Sequence, residues 1–131
     1  MAFDAHGHYD IEIRGEVFIA RFYQTWNIEG VKCFFEEYKS LVHKKSFKKF
    51  GVLSDLRLFE GGPPDVLGYF EEMAEWTKAH GQIARAQLSG SDLISHMIHQ
   101  ASEDKILFPI KTFDDETQAL AWLSDQGLDI G

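Results

Sequence analysis

Cysteine, proline and positive charge are all scarce in this chain of 131 residues, which has one cysteine and three prolines. The single Cys33 excludes an intramolecular disulfide and a zinc site made of cysteines alone, and it is typical of a reducing compartment. The 13 Lys and Arg residues face 21 Asp and Glu residues, so the net charge is −8. That balance repels nucleic acid, and we expect no nucleic-acid partner.

Long hydrophobic runs and familiar catalytic motifs are missing as well. No stretch approaches the roughly 18 apolar residues of a membrane span, and the first residues lack the basic start and apolar run of a signal peptide. The sequence contains no P-loop, no dinucleotide fingerprint and no H-E-x-x-H. We therefore expect a cytoplasmic protein with no integral membrane association, no cofactor and no recognisable catalytic set.

Apolar residues are abundant, at 44% of the chain, and 11 of the residues are Phe. This length and composition predict a single domain over residues 1–131 with a bulky core. The hydrophobic pattern switches between a period of two and a period of three to four residues, which gives the order β-β-α-β-α-β-α-β-α. A hairpin followed by alternating helices and strands predicts an α/β domain with a mixed, mostly parallel sheet.

Several residues at the ends of the predicted elements support this order. Asn27 precedes the first helical pattern and is suited to cap it. Gly61 and Gly62 allow a turn after the third predicted strand, and Pro64 is tolerated in the first turn of the next helix. Pro109 in the last predicted strand indicates an edge or a bulge.

The segment FPIKTFDDETQALAWL, which ends with Trp122 and Leu123, resembles the ending of SpoIIAA-like proteins of the STAS superfamily. Together with the element order, the resemblance covers about residues 8–127. It implies a β/α superhelix related to CRAL-TRIO lipid-binding domains and a non-enzymatic regulatory or protein-interaction role. Antagonist members carry a phosphorylatable Ser where the third strand meets the next helix, but residues 58–65 here contain no hydroxyl side chain, which argues against that switch.

The same junction supplies the candidate binding residues, because the carboxyl ends of parallel strands are where α/β folds bind ligands. Asp55 and Arg57 could form a polar site with Glu60 or Asp65. The alternative is a surface ion pair that only stabilises the loop. Phe59 is predicted to lie at a rigid tip, where it would form an apolar docking patch with Tyr69 and Phe70.

Two pairs of histidines raise the question of a metal site. His96 and His99 are three residues apart on a predicted helix and could coordinate a metal ion together, whereas His6 and His8 lie near the start of the chain. No carboxylate spacing completes a motif around either pair. The ordinary alternative is a partly exposed helix side and a loose N-terminal segment.

Three functions follow from these observations. The first is an interaction module that binds a protein partner or a second copy of itself as a homodimer. The second is a carrier for a lipid or another apolar small molecule, supported by the aromatic content. The third, an enzyme using Asp55, Arg57 or His96, has no spacing that requires it. A large cavity between sheet and helices would favour the carrier, whereas a filled core would favour the interaction module.

Overall fold

The computed structural model describes residues 5–89 and 108–131, which form five strands and three helices. In chain order these elements are β1 (His8–Arg14), β2 (Val17–Gln24), α1 (Ile28–Lys45), β3 (Phe50–Phe59), α2 (Pro64–Ala79), β4 (Gln82–Leu88), β5 (Ile110–Phe113) and α3 (Glu116–Asp125). The helix predicted over residues 91–104 lies outside the described residues. None of the helices within the described ranges is long and apolar enough to cross a membrane.

The five strands form one sheet in the order β1-β2-β3-β4-β5. The β1–β2 hairpin is antiparallel, and the three remaining pairings are parallel. The predicted mixed, mostly parallel sheet is therefore confirmed. β5 is an edge strand, as Pro109 indicated, and the Pro109 carbonyl accepts a hydrogen bond from the Arg85 backbone N–H at 2.9 Å.

Each side of the sheet packs against different helices. The side that we call the aromatic face packs against α1 and α2 and is rich in rings. Its buried residues include Phe18, Phe22, Trp26, Phe34 and Phe50. The side that we call the aliphatic face packs against α3 and carries small or branched residues. Its buried residues include Ile19, Leu53, Ala84, Ala86 and Leu123.

The ends of α1 follow from local chemistry. The Asn27 side chain accepts a hydrogen bond from the Gly30 N–H at 2.9 Å, so Asn27 caps the helix as predicted. His43, Lys44 and Lys45 occupy the last turn, where positive charge complements the helix dipole. Capping at both ends fixes the position of α1, and thereby the rings that it places on the aromatic face.

The turn between β3 and α2 needs both of its glycines. Gly61 has a φ of 89°, in the left-handed region that side chains disfavour. A Cβ atom at Gly62 would lie 2.4 Å from the Trp26 carbonyl oxygen, so only glycine fits against that backbone. The Gly61 carbonyl accepts a hydrogen bond from the Trp26 N–H at 2.9 Å. The turn is therefore tied to the end of β2.

Candidate functional site

Asp55 and Arg57 form the ion pair that the sequence allowed. Arg57 Nε donates to Asp55 Oδ1 at 2.9 Å, and Arg57 Nη2 donates to Asp55 Oδ2 at 2.8 Å. The Arg57 backbone N–H also donates to Asp55 Oδ1, at 3.1 Å. Both carboxylate oxygens of Asp55 thus accept hydrogen bonds from Arg57. This geometry holds the two side chains against each other.

The protonation of Asp55 reflects two opposing effects. Burial alone would raise the pKa of the Asp55 carboxyl, but the hydrogen bonds from Arg57 outweigh burial and hold that pKa below its ordinary value. The Arg57 side chain is 45% exposed. The Asp55 side chain is only 10% exposed, but because the Arg57 end of the bidentate pair is open to solvent, the pair contributes modestly to stability.

The predicted exposure of Phe59 is wrong, because Phe59 is only 5% exposed and belongs to the aromatic core. The cause is an irregularity in the β2–β3 pairing. Arg21 pairs with Asp55, but Tyr23 pairs with Leu58, so β3 has one extra residue there. That residue turns Phe59 to the aromatic face and leaves Leu58 62% exposed.

The other predicted residues lie apart from the Asp55–Arg57 pair. Glu60 is exposed and accepts a hydrogen bond from Thr25 Oγ1 at 3.3 Å. Asp65 is exposed in the first turn of α2, where a carboxylate suits the helix dipole. Tyr69 is half-buried and packs edge-on against Phe35 at 5.9 Å. The structure therefore does not bring the six predicted residues into one site.

A cavity of about 50 Å³ lies instead on the aromatic face, between the sheet and the two helices α1 and α2. It is partly open to solvent and is several times larger than the roughly 10–15 Å³ that one water molecule needs. Apolar side chains form most of its walls. These are Ala20, Phe22, Phe34, Val52, Leu56, Phe70 and Met73.

Three polar side chains from β4 also line the cavity: Gln82, Arg85 and Gln87. Gln87 is 0% exposed, and neither its Nε2 nor its Oε1 atom has a hydrogen-bond partner within the described residues. Gln82 is 3% exposed; its Nε2 donates to the Ala84 carbonyl, and its Oε1 is unpartnered within the same residues. Buried polar atoms are nearly always paired, so this concentration in one cavity is unusual.

Arg85 adds a positive charge to the same cavity. Its Nε atom is buried and has no hydrogen-bond partner in the described part of the chain. The guanidinium carbon lies 5.4 Å from the centre of the Phe108 ring, a cation–π distance that fixes the side chain. Burial lowers the pKa of Arg85, but a guanidinium keeps its proton at neutral pH. The cavity thus contains a permanent cation.

Two hydroxyl groups from the helices complete the polar lining. The Tyr38 hydroxyl and Thr77 Oγ1 share a hydrogen bond of 2.5 Å, in which either atom could be the donor. Burial raises the pKa of the Tyr38 phenol, so the group stays neutral. Ser54 of β3 lines the same cavity. The hydrogen bond between Tyr38 and Thr77 therefore joins α1 to α2 at the cavity that Gln82, Arg85 and Gln87 also line.

Local sequence explains how β4 presents these groups. Alternation places Ala84, Ala86 and Leu88 on the aliphatic face, so Arg85 and Gln87 must point to the aromatic face. The alternation in this segment predicts a strand but no binding site. A signal was present nevertheless, because a strand with parallel partners on both sides is ordinarily apolar on both faces. Arg85 and Gln87 break that rule.

Comparison with known proteins decides the family. The SpoIIAA-like family model matches residues 10–124, which is most of the chain. The chain belongs to the SpoIIAA-like family. A crystal structure of an uncharacterised protein with a SpoIIAA-like fold, from Shewanella loihica PV-4, superposes with a TM-score of 0.68 at 14% identity. The match covers 94% of this chain and 98% of that one. No curated protein matches the chain.

The β3–α2 junction of this SpoIIAA-like chain lacks the hydroxyl side chain expected from the resemblance to antagonist members. Residues 60–63 connect the two elements here and contain no hydroxyl side chain. Ser54, the nearest upstream hydroxyl, lies within β3 and lines the cavity. This SpoIIAA-like chain therefore has no phosphorylatable side chain in the connection itself.

The histidines are divided between described and undescribed residues. His8 lies in β1 against Tyr23, with ring centres 5.4 Å apart, and the His6 backbone N–H donates to Asn27 Oδ1. Across residues 5–89 and 108–131, no three His, Cys, Asp or Glu side chains converge as metal ligands would. His96 and His99 lie outside the described residues.

Proposed function

We propose that this SpoIIAA-like protein is a non-enzymatic binding module that holds a small ligand in the cavity on its aromatic face. The observation that carries the proposal is a set of buried atoms on Gln82, Arg85 and Gln87 that have no hydrogen-bond partner within residues 5–89 and 108–131 and that line one cavity with mostly apolar walls. A few convergent polar groups in an apolar pocket are the usual composition of a small-molecule site.

The free-energy cost of burying polar groups among apolar walls supports a binding role for this cavity. Each buried polar group without a partner costs roughly 1–3 kcal/mol, and a charged group costs more. An apolar residue of the same shape at Gln87 would avoid that cost. Local rules are commonly broken at functional sites, where the cost is recovered on binding. A ligand that pairs with these atoms would recover it here.

The chemistry of the lining groups favours binding over catalysis. The Arg85 guanidinium keeps its proton, and burial raises the pKa of Tyr38. Neither group exchanges a proton readily near neutral pH, as a general acid or base must. Both are fixed hydrogen-bonding groups, which is what a binding site requires.

The alternative is a protein-interaction module, which was motivated by the family resemblance and the lack of a catalytic set. Its expected docking patch is not exposed as predicted, because the Phe59 ring is buried among Phe22, Trp26 and Phe70. The exposed Leu58 lies at the β3 irregularity, and a single exposed apolar residue is normal on a protein surface. A protein partner or a homodimer would need another surface.

The test of a binding module uses NMR titration of isotopically labelled protein with three four-carbon probes: butanoate, butan-1-ol and butylamine. We expect saturable shifts in the signals of the cavity residues Phe70, Met73 and Gln87 with at least one probe. The variant Ala20→Leu fills the cavity from β2 and should abolish those shifts. Absence of saturable shifts with all three probes would overturn the proposed function.

A further inference from the structure

We propose that the cavity recognises a carboxylate group of its ligand, with the Arg85 guanidinium as the principal donor and the Gln87 amide beside it. This inference rests on the proposed binding function and adds the chemical class of the ligand. It follows from the charge, the hydrogen-bonding atoms and the size of the cavity.

Charge is the first argument. Within the described residues no ion pair joins Arg85 to a carboxylate, and the acidic side chain that lines the cavity with it there is the Tyr38 phenol. Because burial raises the pKa of Tyr38, that group is neutral and offers no negative charge. A cationic ligand would be repelled by Arg85, and a neutral one would leave the guanidinium uncompensated. A monoanion balances it.

The hydrogen-bonding atoms are the second argument. Arg85 Nε and Gln87 Nε2 are both donors, and both lack a partner in the described part of the chain. A carboxylate offers two acceptor oxygens in one plane, which matches the planar fork of a guanidinium. The free Oε1 atoms of Gln82 and Gln87 are acceptors and would suit a hydroxyl or an N–H elsewhere on the ligand.

The size and the walls of the cavity distinguish a carboxylate from a phosphate. A phosphate ester carries nearly two negative charges at neutral pH, and one guanidinium balances only one of them. The second charge would be buried at high cost in a site of about 50 Å³. The rings of Phe22, Phe34 and Phe70 offer apolar surface to the carbon chain behind the carboxylate.

The experiment compares affinities among matched probes and matched variants, followed through the side-chain N–H signals of Gln87 and Arg85. Wild-type protein should bind butanoate about tenfold or more tightly than butan-1-ol, because a charge-assisted hydrogen bond is stronger than a neutral one. Arg85→Met should remove that preference and retain the binding of butan-1-ol. Arg57→Met should keep the preference, since this variant loses the same charge outside the cavity.

Each result bears on a different conclusion. Equal affinity for butanoate and butan-1-ol, or a preference for butylamine, would overturn the carboxylate assignment while the binding module stands. Methyl phosphate binding more tightly than butanoate would also overturn it. Failure of all three four-carbon probes would overturn both proposals. Gln87→Leu serves as a second variant if Arg85→Met does not fold, and it should weaken butanoate more than butan-1-ol.

Discussion

The arginines on the two faces of the sheet differ in their ion pairs within the described residues. On the open part of the aliphatic face, Arg21 bridges Glu12 at 3.1 Å and Glu116 at 2.7 Å. Arg57 on the same face is paired with Asp55. On the aromatic face, Arg85 has a buried Nε atom with no partner in the described residues. The first two arginines form ion pairs, whereas the third forms none within the described residues.

The two faces also differ in the side chains that pack on them. Small residues such as Ala84 and Ala86 let α3 approach the aliphatic face and fill it. Large rings meet edge to face on the aromatic face. The centre of the Phe22 ring, for example, lies 4.8 Å from that of Phe34 and 6.2 Å from that of Phe70. The cavity lies on the aromatic face, where the rings of Phe22, Phe34 and Phe70 form part of its walls.

The largest effect that we expect comes from Phe18→Ala. Phe18 is fully buried on the aromatic face and contacts Tyr38, Phe47 and Phe50. Its truncation should lower the free energy of unfolding by about 3–5 kcal/mol, measured by urea denaturation. Phe113→Ala, at a half-buried ring on the aliphatic face, should cost about 1–2 kcal/mol. Equal losses would show that the aromatic face is not the main core.

A change of opposite sign is expected for Arg85→Met. Arg85 has a buried Nε atom with no partner in the described part of the chain, so replacing it with an apolar side chain of similar length should raise the free energy of unfolding of the ligand-free protein by about 1–3 kcal/mol. Urea denaturation of wild type and variant measures the difference. Arg57→Met, the control from the other face, should instead lower the free energy of unfolding. A loss of stability in Arg85→Met would mean that the guanidinium has a structural partner.

The smallest effect concerns acid pH and the Asp55–Arg57 pair. Because the pKa of Asp55 is lower in the folded protein than in the unfolded chain, the pair stabilises the fold above the ordinary Asp pKa of about 4. That contribution is lost as the pH falls through the folded-state pKa. Asp55→Asn should therefore cost about 1 kcal/mol at pH 7, and the difference from wild type should shrink toward pH 2.

Urea denaturation at several pH values between 2 and 7 follows this loss. Glu60→Gln provides a control carboxylate whose hydrogen bond to Thr25 is exposed. We expect that control to leave the pH profile nearly unchanged. A difference between Asp55→Asn and wild type that stays constant from pH 7 to pH 2 would contradict the assignment.

Much of the fold was predictable because local patterns agree with it. The alternation of β4, the cap at Asn27 and the glycine turn at Gly61 and Gly62 each indicate one local structure. The candidate site was less predictable. The sequence predicted residues at the end of β3, where ligands commonly bind, but the cavity lies over β4. Position in the fold was a weaker guide than the presence of polar residues in an interior strand.

The sequence by itself determined the mixed sheet and the order of the described elements, since these depend on periodicity and capping within short segments. The SpoIIAA-like family was indicated by resemblance in the segment that ends with Trp122 and Leu123. Only the tertiary structure decided which side of the sheet the last residues of β3 occupy. The single extra residue between Asp55 and Leu58 reverses the alternation and buries Phe59. Only the tertiary structure, too, placed Arg85 and Gln87 beneath aromatic rings from α1 and α2, because that contact depends on packing between segments that are distant in the chain.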